Sequence, residues 1–224
     1  MSLILHIDTS LETAFVSIAK DAVPVVIKTN TVQKEHAGFV HKAVEEVIHE
    51  CGMRLSDLAA IAVTEGPGSY TGLRVGMSSA IGLCYALKKP FIKISTLKMI
   101  AQDAYLQAQD TDALYCPMVD ARRMEVFTAM YDHELNVILK PMAMILEDDS
   151  FKDSLEKHRI YFSGNGSSKF KNILSEKNAV FLSSNNLPLS LSQLSYAAFL
   201  SSSFSNFTDS EPNYIKEYVN FGSK

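Results

Sequence analysis

The order of the apolar runs constrains this chain more than any other feature. Residues 3–7 (LILHI) form a short apolar run that ends at Asp8-Thr9-Ser10; a second run spans residues 14–19, and a third, residues 23–27, follows Lys20-Asp21 almost at once. Three such runs with short polar breaks predict a β-meander, and Pro24 suits an edge position. A helix is expected over residues 36–51. There Phe39, Val40, Ala43, Val44, Val47, Ile48 and Cys51 recur at the 3.6-residue period, and Gly52 fits the position just past the end. Residues 59–64 read as a buried strand. A second helix runs from about Thr71 to Leu87 and is stopped by Pro90; residues 91–95 make a strand and 96–109 a third helix.

The resulting order, β-β-β-α-β-α-β-α over residues 1–105, is that of a ribonuclease H-like lobe, the unit that is doubled in actin-like ATPase folds. Alternation after the meander implies parallel strands joined by crossover helices. Residues 106–224 are less regular. Strands are expected at 114–119, 126–131, 137–144, 160–162 and 180–182, with a charged helix at 148–157 and a helical face carried by Leu191, Leu194, Ala198 and Phe199. The expected architecture is therefore α/β with two lobes, 1–105 and a smaller 106–224, the second a shortened copy of the first.

Composition excludes several classes. A 47% apolar and 21% charged chain is ordinary for a globular protein, so disorder and fibrous folds are excluded. The net charge of −4 argues against a protein that grips nucleic acid unaided. Cys51, Cys84 and Cys116 have no metal or redox spacing and read as reduced thiols of a cytoplasmic protein. No run is long enough for a membrane span, and the N-terminus lacks the pattern of a signal peptide.

Five of the ten glycines fall between positions 66 and 82, in and after Glu65-Gly66-Pro67-Gly68-Ser69-Tyr70-Thr71-Gly72-Leu73-Arg74-Val75-Gly76. Ser69 or Thr71 can cap the helix that follows. A glycine turn before a helix suits anions, but no lysine follows as a phosphate loop requires, and the spacing fails the dinucleotide fingerprint. Gly72, Gly76 and Ala80 form one small-residue stripe. It fits close approach either to the chain's own sheet or to a second helix across an interface.

HIDTS at 6–10, EGPGSYTGLRVG at 65–76, VDARRMEVF at 119–127 and Pro212-Asn213-Tyr214-Ile215 resemble the TsaB (YeaZ) members of the TsaD/TsaB glycoprotease-like family of actin-fold proteins. The resemblance implies a subunit without catalytic residues that serves threonylcarbamoyladenosine synthesis on tRNA. It implies pairing with TsaD, recruitment of the ATPase TsaE, contact with tRNA only within the complex, a homodimer when alone, and a glycoprotease label inherited from TsaD. The implied partner surface comprises His36, Phe39, Val40, Ala43 and Val47 on the first helix, with Gly72, Arg74, Gly76 and Ala80 on the second.

Two rival functions predict chemistry that is missing. A metallopeptidase needs converging ligands, but HExxH is absent and His36 and His41 point about 140° apart on a helix. An actin-like ATPase or kinase needs glycine-containing phosphate turns. Here the turns are Asp8-Thr9-Ser10-Leu11 and Asp120-Ala121-Arg122-Arg123, without glycine. Asp8 and Asp120 can hold magnesium through water or can simply stabilise their turns. Gly164 and Gly166 are either the remnant of an adenine-side turn or a tight loop. Arg122 and Arg123 can meet tRNA phosphate or pair with Glu125 or another nearby acid on the surface, and Arg74 can bridge to a partner or stay solvated. No cofactor or bound metal is expected.

Overall fold

The computed structural model describes residues 2–32 and 35–216. Two five-stranded sheets share one plan. The first, in the order β3-β2-β1-β4-β5, is built from β1 (Leu3–Asp8), β2 (Ala14–Lys20), β3 (Val23–Asn30), β4 (Ala60–Gly66) and β5 (Phe91–Ser95). The second, in the order β8-β7-β6-β9-β10, is built from β6 (Leu114–Asp120), β7 (Glu125–Tyr131), β8 (Val137–Ile145), β9 (Ile160–Ser163) and β10 (Ala179–Phe181). In each sheet an antiparallel meander is followed by two parallel strands. Short breaks permit only antiparallel pairing, and parallel pairing needs the longer connections that follow. Pro24 sits on an edge strand as expected, since β3 ends its sheet.

The helices show why the second lobe is the smaller. α1 (His36–Glu50) and α2 (Tyr70–Leu87) cover one face of the first sheet, where Val40, Ala43, Val47, Met77 and Ala80 pack on Leu5, Ile7 and Val63. Their counterparts, α4 (Lys152–Leu155) and α5 (Ser167–Lys171), are single turns that bury Leu155 and Phe170 against Cys116, Met118 and Phe162. The charged helix expected over 148–157 shrinks to α4. Phe151, just before it, adopts a left-handed φ of 65°, and Leu155 is the one buried residue of the turn. So little apolar surface cannot offset the cost of starting a longer helix.

Between the sheets lie α3 (Thr96–Ala108) and α6 (Leu187–Leu200), and each serves the other's lobe. α3 leaves β5 of the first sheet, yet Leu97, Ile100, Ala101 and Ala104 pack on Tyr115, Val119, Ala129 and Tyr131 of the second. α6 follows β10, yet Leu191 joins Ile4, Phe15, Ala60, Ile92 and Ile94 of the first. Of the cysteines, Cys84 and Cys116 are buried, and burial pushes both thiols up to about 12; Cys51 is only partly covered. Among the described residues no helix is long and apolar enough to cross a membrane.

Two polar contacts fix α6. Asp103 on α3 accepts hydrogen bonds from the backbone N–H groups of Asn185 and Asn186, at 2.9 and 2.8 Å, just where α6 begins. His6 on β1 lies 2.6 Å from Ser195 Oγ through Nε2. Burial lowers the His6 pKa from 6.5 to about 3.

Asp103→Ala removes the buried carboxylate that holds two part-buried N–H groups and is expected to cost about 1–3 kcal/mol, read by urea denaturation. The His6 contribution has a defined sign. The unfolded chain takes up a proton at His6 near pH 6.5 and the folded chain only near pH 3, so this part of the stability is present above 6.5 and drains as pH falls. The slope approaches about 1.4 kcal/mol per pH unit between those values. A His6→Gln variant should lose that slope in denaturation measured across pH.

Candidate functional site in the cleft between the lobes

The turn after β1 is closed from within. Asp8 is fully buried, and its Oδ1 accepts from Ser10 N at 2.9 Å, Ser10 Oγ at 2.6 Å and Thr64 Oγ1 at 2.6 Å. The carboxylate thus ties β1 to β4 and to its own turn. Its Oδ2 is buried without a hydrogen-bonding partner among the described residues. Burial raises the Asp8 pKa, opposed by the three hydrogen bonds and by the charge of His36.

Thr9 and Ser10 meet the glycine segment at contact distance. Thr9 Oγ1 donates to the Gly72 carbonyl at 2.6 Å, and Ser69 N donates to the Ser10 carbonyl at 2.7 Å. A Cβ on Gly72 would lie 2.0 Å from the Thr9 carbonyl oxygen, and one on Gly68 2.2 Å from that of Ser10. Gly76 faces Thr9 Oγ1, where a Cβ would come within 2.4 Å. The glycines therefore serve the seating of α2 on the Asp8–Ser10 turn. Of the two expected cap residues it is Ser69 that caps α2, through Gly72 N.

The second lobe repeats the device in weaker form. Gly164, at φ 90°, allows the β9–α5 turn to approach the Met118 carbonyl, where a Cβ would lie 2.4 Å away; Gly166 does the same against Val126. Asp120 accepts from Lys169 Nζ at 2.7 Å and from Arg122 N at 2.6 Å, and its own N–H donates to Asn165 Oδ1 at 3.0 Å. Partial burial, the largest single influence, pushes the Asp120 carboxyl up. The Lys169 bond, the Arg122 N–H and their charges outweigh it and hold the pKa below the usual value. Arg122 and Arg123 take left-handed φ values of 72° and 48°, so the turn bends without glycine. Glu125 pairs with Lys216 at 2.8 Å rather than with either arginine. Among the described residues neither guanidinium forms a salt bridge, although the charge of Arg122 acts on Asp120.

Between the two turns lies a cleft of ≈ 1120 Å³. Ser10, Leu11 and the first turns of α1 and α2 line one side; Val119, Asp120, Arg122 and Phe127 line the other. Part of the wall is the C-terminal segment at Asn213–Lys216.

The residues expected on a partner surface separate into two layers. Val40, Ala43, Val47, Gly72, Gly76 and Ala80 do not reach the surface: they are buried against the chain's own sheet, because the apolar stripe of each helix is the side that covers the core. His36 is also buried, with neither ring nitrogen hydrogen-bonded among the described residues. Phe39 is half-exposed and Arg74 exposed. Arg74 stacks its guanidinium 4.2 Å over the Tyr70 ring and donates from Nε to Tyr214 Oη at 3.1 Å. Among the described residues no three His, Cys, Asp or Glu side chains come together as a metal site.

A family model described as TsaD, tRNA N6-adenosine threonylcarbamoyltransferase, matches residues 27–216. The chain is 30% identical over 176 residues to the tRNA threonylcarbamoyladenosine biosynthesis protein TsaB of Bacillus subtilis, covering 77% of this chain and 75% of that protein. The chain belongs to the TsaD family, in its TsaB branch. Among solved structures, a Pseudomonas aeruginosa protein described as similar to peptidase YeaZ superposes with a TM-score of 0.82 at 23% identity, covering 96% of this chain and all of that one. A polyphosphate/ATP-glucomannokinase of Arthrobacter superposes at 0.50 and 12% identity over 88% of this chain and 99% of that chain, which places the TsaB plan among two-lobed actin-like folds.

Sequence reading missed two features of this TsaB cleft. The Asn213–Lys216 wall lies in an irregular segment with no periodicity to betray it. The burial of His36 follows from its place at the first position of α1, which the helix pattern alone does not orient. Gly72→Ala drives a methyl group into the Thr9 carbonyl, a backbone atom that cannot swing aside. It is expected to cost about 3 kcal/mol or more, whereas Gly82→Ala, whose added methyl meets nothing within 4 Å inside α2, is expected to stabilise by about 0.5–1 kcal/mol. Thermal denaturation of the two variants measures the contrast.

Proposed function

We propose that this chain is the non-catalytic partner subunit of the assembly that forms threonylcarbamoyladenosine in tRNA. It pairs with TsaD, helps recruit TsaE, and meets tRNA only within that assembly, in the cytoplasm. The observation that carries the reading is the sealed turn after β1. Where an actin-like ATPase approaches phosphate, Thr9 and Ser10 carbonyls are covered by Gly72 and Gly68, and Asp8 is spent on Ser10 and Thr64. A nucleotide would have to break those contacts before reaching the carboxylate. The family match to TsaD and the similarity to Bacillus subtilis TsaB support the pathway.

The docking face is the outer side of α1 and α2. Phe39 and Arg74 belong to it directly, and Tyr85 is 74% exposed there, an aromatic ring of the kind that anchors interfaces. Val40, Ala43, Val47, Gly72, Gly76 and Ala80 act beneath it by holding the two helices in place. Without TsaD the same face takes a second copy of this chain, since related lobes can pair through equivalent helices. Arg122 and Arg123, neither of them in a salt bridge among the described residues, face tRNA phosphate once the assembly forms.

Mixing with TsaD should give a new species of combined mass in size-exclusion chromatography with light scattering. Two separate peaks at their original masses would end the proposal. Tyr85→Glu should weaken the pairing by about tenfold or more without lowering the melting temperature. Calorimetric titration of the isolated chain with magnesium-ATP should show no tight binding; stoichiometric binding with hydrolysis would favour an autonomous ATPase instead.

A further inference from the structure

Four consecutive residues grip both lobes across the cleft. Asn213 N donates to the Glu65 carbonyl at 2.7 Å, at the end of β4. Gly66 leaves room for the Asn213 carbonyl, which would lie 2.8 Å from a Cβ at that position. Tyr214 sets its ring 5.1 Å from that of Tyr70 and accepts from Arg74, so a ring, a guanidinium and a second ring hold together on α2. On the far side, Ile215 packs into the cluster made by α3 and the second sheet, and Lys216 pairs with Glu125 on β7.

We propose that Asn213–Lys216 form a releasable clasp that holds the two lobes closed over the cleft, with Arg74 as the point of release. Each grip is individually small. One is a single backbone hydrogen bond, one a half-exposed ring contact, and one an ion pair whose lysine is 60% exposed. Opening the clasp uncovers far less apolar surface than parting α3 and α6 would, so a clasp-open state is reachable while the core stays intact. Arg74 makes the release addressable from outside. It lies on the exposed face of α2, and a carboxylate presented there pairs with the guanidinium as an ionised, bidentate acceptor, a stronger bond than the one that neutral Tyr214 Oη accepts. Such a carboxylate draws the guanidinium off the tyrosine and loosens the first-lobe end of the clasp. Occupation of α2 and opening of the cleft are then linked, each favouring the other.

Hydrogen exchange of the full chain tests this. In Tyr214→Ala, backbone amides of residues 66–72 and 121–126 should exchange about tenfold faster, while those within β1 and β6 keep their rates. Unchanged rates at both turns would overturn the clasp, and so would a uniform rise across both sheets. A charge reversal guards against a variant that merely folds poorly. Lys216→Glu should speed exchange at 121–126 about threefold, and adding Glu125→Lys should restore it; a double variant no slower than the single counts against the proposal. Arg74→Leu should reproduce the change at 66–72, and failure to do so removes Arg74 as the release point.

Discussion

The contact between the first turns of α2 and the Asp8–Ser10 turn organises everything else in the first lobe. Two carbonyl oxygens and a hydroxyl, from Ser10 and Thr9, stand where any side chain at Gly68, Gly72 or Gly76 would have to go. Glycine at those positions lets a helix lie on a turn at backbone distance, and Asp8 locks the turn from beneath through Ser10 and Thr64. The position of α2, the side it shows to solvent and the depth of the cleft beside it all follow. The same contact covers the Thr9 and Ser10 carbonyls, the backbone that faces the cleft at this turn. One packing decision thus shapes both the fold and the chemistry the cleft can support.

Much of this was legible in the sequence because it rests on periodicity. The meander, the amphipathic α1 and the strand-helix alternation are statements about which side of each element is apolar. Residues such as Val40, Val44 and Val47 declare it at fixed spacing. The doubling was legible as an order of elements, and the two sheets repeat one strand order. The glycine window announced an unusual backbone, but not its target. Sequence reading left open whether the Gly72–Gly76–Ala80 stripe met a partner or the chain's own sheet, and the structure places it inside.

What escaped was long-range and aperiodic. Ser195 reaches His6 across 189 positions, and Lys216 reaches Glu125 across 91. No local pattern encodes either contact. Glu125 sits three residues from Arg122, so proximity in sequence favoured the wrong partner. The chain meets the lysine instead because the final segment returns over the cleft. Helix length in the second lobe failed for a related reason. Charge at residues 148–157 looks helical, yet the residue that decides, Phe151, is turned by its surroundings into a left-handed bend.

The exchange of α3 and α6 between the sheets bears on how such a chain can be divided. Each half of the sequence carries the helix that completes the other half's interior. A polypeptide ending after α3 would leave Leu97, Ile100 and Ala104 facing water, and its own sheet would lack the cover that Leu191 supplies. The complementary fragment would be bare in the mirror-image way. Two such fragments expressed together would present matching sticky faces, so reconstitution of a nicked molecule is more natural here than independent survival of either piece.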